Sequence, residues 1–200
     1  SWLFSILAGA YSVATVAVAN VLLAVLSFAM TGAYDWVGGG FWFFFFALLI
    51  LVGIFSKSAV LPFHPWLPDA GVAPSPVTAF LHAAVLVKIG VYVFARLFLS
   101  TFAIPVIWQT VVPFIALVST IICACAALLE TDLKRIIAYS TVSQIGFIFF
   151  GFTTGNSVGI TGALLYILMP GLSKAGLFLC AGIVAQNTHV RDIRKLGGLI

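Results

Sequence analysis

From Trp2 to Met30 the chain runs 29 residues without a charged side chain. A helix of that composition has no polar face to turn towards water, whereas each crossing of a bilayer needs about 20 consecutive apolar residues. The stretch is too long for a soluble core helix and too short for two crossings with a turn, so one long span is expected. Further apolar runs follow at Phe41–Leu61, Val77–Leu99, Phe102–Leu129, Ile136–Phe152 and Val158–Gln186. With 63% hydrophobic and 7% charged residues and a mean hydropathy of +1.24, the solvent of most of this surface is lipid. The expected fold is an all-α, polytopic transmembrane helix bundle of about six spans, with residues 1–200 forming a single transmembrane domain.

The breaks between runs are legible in their chemistry. Gly38, Gly39 and Gly40 mark a loop over Thr31–Gly40, and no strand precedes them to make a phosphate cradle. Pro62, Pro65, Pro68, Pro74 and Pro76 remove backbone donors between the second and third spans, and extended or broken backbone is expected there. In the sixth run Pro170 takes away the donor that the Tyr166 carbonyl would receive, so a kink is expected. No basic stretch with a small-residue cleavage site precedes the first span; no signal peptide is expected, and the chain reads as an internal piece of a longer subunit.

The formal charge of +4 does not point to nucleic acid, because the basic residues are scattered and several lie within apolar runs. The loops at 62–76, 130–135 and 187–195 fall on one face and hold Lys134, Arg135, Arg191, Arg194 and Lys195, against Arg96 alone on the other. The positive-inside rule makes the first face cytoplasmic. Cys123, Cys125 and Cys180 sit in apolar stretches and read as buried, inert thiols. His64, His82 and His189 lack carboxylate or thiol companions at ligand spacing, and no nucleophile set is evident. No metal site, no cofactor and no active site of the chain's own is expected.

The residues that carry chemistry are cations in apolar runs. An ammonium at the bilayer centre costs about 2.5–3.5 kcal/mol on insertion scales, so a lysine kept there faces a partner or a wet cavity. Lys57, Lys88 and Lys174 occupy such places. Snorkelling is the alternative, above all for Lys57, which lies within the last two turns of its run. His82 precedes Lys88 by six residues, which on an α-helix is about 120° of arc, and shares a face with Thr78, so a relay histidine and a satisfied core histidine both remain open. Lys134 opens the fifth span, and Ser140, Thr141, Ser143 and Gln144 line it with groups that either hold water or bond neighbouring helices.

Long motifs in fixed order then narrow the reading. The run Lys57-Ser-Ala-Val-Leu-Pro-Phe-His-Pro-Trp-Leu-Pro-Asp-Ala70 leads into Ala73-Pro-Ser-Pro-Val-Thr-Ala-Phe-Leu-His-Ala-Ala84 and Val87-Lys-Ile-Gly-Val-Tyr92. Thr131-Asp-Leu-Lys-Arg-Ile-Ile-Ala-Tyr-Ser-Thr-Val-Ser-Gln-Ile-Gly146 and Leu172-Ser-Lys-Ala-Gly-Leu-Phe-Leu179 follow. From Phe41 onward the chain resembles the antiporter-like subunits of respiratory complex I, a family shared with the Mrp cation/proton antiporters and membrane-bound hydrogenases. Lys88 and the segment Arg191-Asp-Ile-Arg-Lys-Leu-Gly-Gly198 lean towards the Mrp and hydrogenase group.

The resemblance implies a fourteen-helix subunit, with this piece supplying the sixth to eleventh helices. It implies that Lys57 is the lysine of a broken helix and pairs with a glutamate outside the sequence. His82 and Lys88 then form a relay, Lys134 a link, and Lys174 the lysine leading to the exit side. Relatives often carry histidines one and two turns before that last lysine; here Pro170 and Tyr166 stand in their place. The implied function is proton translocation within a multisubunit complex in a prokaryotic plasma membrane, with other membrane subunits, the lipid bilayer, and protons or Na⁺ as partners. A Na⁺/H⁺ antiport module and a structural membrane arm that anchors a hydrogenase or dehydrogenase are the alternatives.

Overall fold

The structure, a computed structural model, describes residues 39–84, 86–99 and 106–197. The expected span over Trp2–Met30 lies outside the described residues. What is described is helical: α1 (Gly39–Lys57), α2 (Trp66–Asp69), α3 (Ser75–Ala79), α4 (Leu86–Phe94), α5 (Val106–Leu129), α6 (Leu133–Phe152), α7 (Ser157–Tyr166) and α8 (Leu168–Thr188). Wider π-turns over Phe80–Ala84 and Ala95–Leu99 adjoin α4 on either side. Four stretches, Ser75–Leu99, Gln109–Leu129, Leu133–Phe152 and Ser157–Thr188, are long and apolar enough to cross a membrane.

Several boundaries move for identifiable reasons. Helix α1 starts inside the expected glycine loop, at Gly39, and stops at Lys57 rather than Leu61, because Ala59 takes a left-handed φ of 55° that no α-helix continues through. The proline-rich segment is less extended than expected. Pro68 sits in the first turn of α2, where a missing N–H costs nothing, and Pro76 opens α3 in the same way. The fifth span begins at Leu133, three residues early, because the Asp132 carboxylate accepts the amides of Lys134 and Arg135.

The sixth span is interrupted for one residue, at Ile167 between α7 and α8, three residues before Pro170 and next to the Tyr166 carbonyl that proline leaves without a donor; Ile167 itself keeps right-handed helical dihedrals (φ −59°, ψ −36°). The arc of about 120° between His82 and Lys88 presumes regular α-winding, whereas His82 lies in a π-turn, whose wider winding changes the register beyond it. Cys123 is buried, but Cys125 and Cys180 point outward, as the two-residue offset from Cys123 to Cys125 requires on a helix.

Helices α5 and α6 form the most extensive pair, an antiparallel hairpin; α1 packs on α4, α3 on α8, and α6 on α7 and α8. Phe149 of α6 meets Phe55 of α1 at 5.6 Å and Phe94 of α4 at 5.2 Å, both edge to face, so one aromatic cluster ties three helices. Outward, Leu128, Leu129 and Leu172 are 86%, 83% and 77% exposed, a surface suited to lipid or neighbouring helices rather than water.

The three loops assigned to one face meet there. Leu133 donates to the Arg191 carbonyl and Ile193 to that of Thr131, closing a small antiparallel bridge between Asp132 and Asp192. Arg135 pairs with Asp69 at 3.8 Å and Glu130 at 3.4 Å, and Lys134 Nζ donates to the Ala73 carbonyl at 3.0 Å.

Candidate functional site

Depth in the bundle follows from the register between helices. The Ser58 hydroxyl donates to the Val87 carbonyl at 3.0 Å, and the Leu61 amide donates to the Ser119 hydroxyl at 3.2 Å. Val87 lies twelve residues beyond Ser75, halfway along the membrane-length stretch Ser75–Leu99 that starts at the loop face. Helix α1 therefore ends in the interior of the bundle, and residues 58–74 carry the chain the rest of the way out. Lys57 is at a helix end yet 8% exposed, far from the interface that snorkelling needs.

Gly90 makes this junction possible. A Cβ there would meet the Ser58 hydroxyl and stand 2.9 Å from the Ile54 carbonyl, so the end of α1 lies directly against α4. Lys88, half-buried, sits between the two points of contact, Val87 and Gly90, and thus at the level of Lys57. Neither lysine makes an ion pair among the described residues.

A second group lies nearer the loop face, between α3, α6 and α8. Gly182 of α8 packs on Ser75, which sets the two helices level at that point. Lys174 is eight residues earlier in α8, about 12 Å deeper, and donates from Nζ to the Ser140 hydroxyl of α6. Ser140 in turn donates to the Ile137 carbonyl at 2.9 Å. Lys134, six residues before Ser140, is buried at the loop end on the Ala73 carbonyl. His82 is fully buried against Phe178, one turn from Lys174 on the same face of α8, with ring centroids 5.0 Å apart. Among the described residues neither of its ring nitrogens has a hydrogen-bond partner. The described protein groups therefore do not satisfy the histidine, and Thr78 bonds the Ala73 and Pro74 carbonyls instead.

The remaining residues singled out in the sequence divide. Thr141 is buried and donates to the Ile137 carbonyl, an ordinary intrahelical bond. Ser143 is half-buried; Gln144 keeps a buried Oε1 with no partner among the described residues, one turn deeper than Ser140. Tyr166 packs edge-on to Phe147 at 5.3 Å and joins neither lysine group. Pro62 and Pro65 are exposed, while Pro68 and Pro170 are buried. No hydrogen bond joins the Lys57–Lys88 group to the Lys174–Lys134 group among the described residues. Ser58 and Ser119 do not stand out in the sequence, where their only signal is a hydroxyl in an apolar run; they hold the broken end of α1 in place.

What this arrangement can do is hold exchangeable N–H groups at graded depths, from Lys134 at the loop end, through His82 and Lys174, to Lys57 and Lys88. Several of them have spare donor or acceptor capacity that only water or an absent side chain could fill.

The chain is 42% identical to a Na⁺/H⁺ antiporter subunit of Bacillus subtilis over 76% of its length, and spans 20% of that relative. It is similar to a chain of the Mrp complex from Dietzia sp., with a TM-score of 0.71 and 36% identity over 77% of this chain and 17% of that one. A chain of the membrane-bound sulfane sulfur reductase, an archaeal respiratory membrane complex, matches with a TM-score of 0.72 and 26% identity over 77% of this chain and 32% of that one. The chain thus covers about a fifth of the length of its curated relative. The family model for the transmembrane region of NADH:quinone oxidoreductase and Mrp antiporters matches residues 2–200, and the chain belongs to that family of multi-pass membrane proteins.

Proposed function

We propose that this chain is the proton-conducting part of an Mrp-type cation/proton antiporter subunit, working within a multisubunit membrane complex, and that Lys57, Lys88, His82, Lys174 and Lys134 carry the proton. The observation that supports it most is the interior end of α1, which keeps Lys57 beside the middle of the membrane-length stretch Ser75–Leu99. A scaffold gains nothing from desolvating an ammonium there, whereas a relay needs a cation that its surroundings can switch. In this reading a carboxylate from the rest of the subunit pairs with Lys57, and its movement drives the proton through Lys88 and His82 towards Lys174.

The test is cation-driven proton movement in vesicles containing the intact complex with Lys57→Ala or Lys88→Ala. Loss of coupled exchange in both, with assembly intact, is the expected result; wild-type coupling in both would sink the relay. The likeness to a respiratory complex favours a second reading, in which the same lysines are driven by electron transfer instead of a cation gradient. Proton movement that requires an electron donor and is indifferent to Na⁺ and K⁺ gradients would select it.

A further inference from the structure

We infer that the loop face carries a binding site for the phosphate-bearing headgroup of an anionic phospholipid. A cavity of about 640 Å³ opens there between the start of α3, the start of α6 and the end of α8. That volume falls in the range of roughly 300–1,000 Å³ that holds a small molecule, and is far more than one ion needs. Lys134, His189 and Arg191 line it together with Ser75, Gln186 and Val77, and among the described residues no carboxylate does. Of the acids beside these residues in the chain, Asp132 is engaged by the amides of Lys134 and Arg135 and Asp192 by that of Arg194.

Two further features make this a formed site rather than a gap between loops. Arg191 is fixed by its backbone, since its carbonyl receives the Leu133 amide within the Asp132–Asp192 bridge. Lys134 is 4% exposed and spends one N–H on the Ala73 carbonyl, which leaves its other N–H groups for a ligand. The site also lies where a lipid can reach it. It adjoins Ser75 and Gly182, at the end of two membrane-length helices and on the face where loop cations gather. Val77 at the cavity wall is exposed, as are Phe80, three residues on, and Ile183, next to the lining Gly182, and these offer an apolar track for an acyl chain. Basic pockets between transmembrane helices on that side are suited to anionic headgroups. The inference does not rest on proton conduction and would stand if that reading failed.

Native mass spectrometry of the purified intact complex, titrated with phosphatidylglycerol or phosphatidylcholine in detergent, tests it. Wild type should hold phosphatidylglycerol in preference to phosphatidylcholine. Arg191→Gln should weaken that binding about fivefold, the share of one basic residue near a headgroup. Ala185→Phe, which fills the cavity from α8 without changing charge, should weaken it as well and carries the test if the arginine variant fails to assemble. Arg194→Gln, an exposed loop cation outside the cavity, should leave it unchanged. Equal retention in Arg191→Gln and Ala185→Phe, an equal loss in Arg194→Gln, or full displacement of the lipid by inorganic phosphate would each overturn the assignment.

Discussion

The ammonium of Lys174 donates to the hydroxyl of Ser140 across the α6–α8 interface, and that hydroxyl donates its own hydrogen bond to the Ile137 carbonyl. Ser140 therefore has a lone pair reserved for the lysine, and the lysine has a fixed resting place. Ser140→Ala removes the acceptor but leaves the helix intact. Hydrogen bonds between transmembrane helices average about 0.6 kcal/mol and reach about 1.7 kcal/mol, so the loss of stability should stay under about 2 kcal/mol. Proton flux in vesicles of the intact complex should fall by up to about tenfold, the equivalent of 1.4 kcal/mol on a barrier. Ser140→Thr, which keeps the hydroxyl, should behave as wild type.

Gly90 and Gly162 should respond in opposite ways to a single added methyl group. A Cβ at Gly90 would collide with the Ser58 hydroxyl and the Ile54 carbonyl, while one at Gly162 meets nothing within 4 Å. Overpacking of this kind costs about 1–3 kcal/mol, and the carbonyl cannot be trimmed away, so Ser58→Ala should not rescue Gly90→Ala. Gly162→Ala should be neutral or slightly stabilising, because alanine is the better helix former by about 1 kcal/mol. Thermal unfolding of the purified complex, followed by loss of assembly, separates the two.

That contrast also shows where the sequence is legible and where it is not. Apolar runs mark most spans to within a few residues, and Pro170 announces the division of the sixth, because both follow from local composition and missing donors. The depth of Lys57 does not follow. In the sequence it stands at a helix end, where a long stem ordinarily reaches water; only the pairing of Ser58 with Val87 reveals that this helix end is internal. Likewise Ser140 and Lys174 each stand out as polar residues in lipid, but their meeting depends on the register of α6 against α8, which no spacing within one helix encodes. The π-turn at Phe80–Ala84 leaves no mark in an apolar run that α-winding fits equally well.

Asp132 does two jobs at the loop face that can be separated. Its carboxylate caps α6 through the amides of Lys134 and Arg135, and its backbone bridges to Asp192. Asp132→Ala should cost about 1 kcal/mol through the lost cap and loosen the junction of the loops at 130–135 and 187–195. Asp132→Asn, an equally good cap, should not. Proteolysis of the loop face in vesicles oriented with it outward should be faster in the alanine variant alone.

His82 offers the sharpest separation of stability from function. Its ring is fully buried, packs on Phe178 and leaves both nitrogens without partners among the described residues. Buried polar atoms without partners cost about 1–3 kcal/mol, so an apolar side chain of similar volume should fit the same space at no loss, or with a gain, in stability. The proposed relay gives a reason for keeping a histidine at that cost against Phe178, a residue one helical turn from Lys174 along α8, where packing alone gives none. His82→Leu is therefore expected to leave the complex assembled, with an unchanged or higher unfolding temperature, while proton flux falls at least tenfold. His82→Gln, polar but with no titratable group, should be as inactive as leucine and less stable. If both variants exchange protons at the wild-type rate, the ring is a core residue and the path bypasses it.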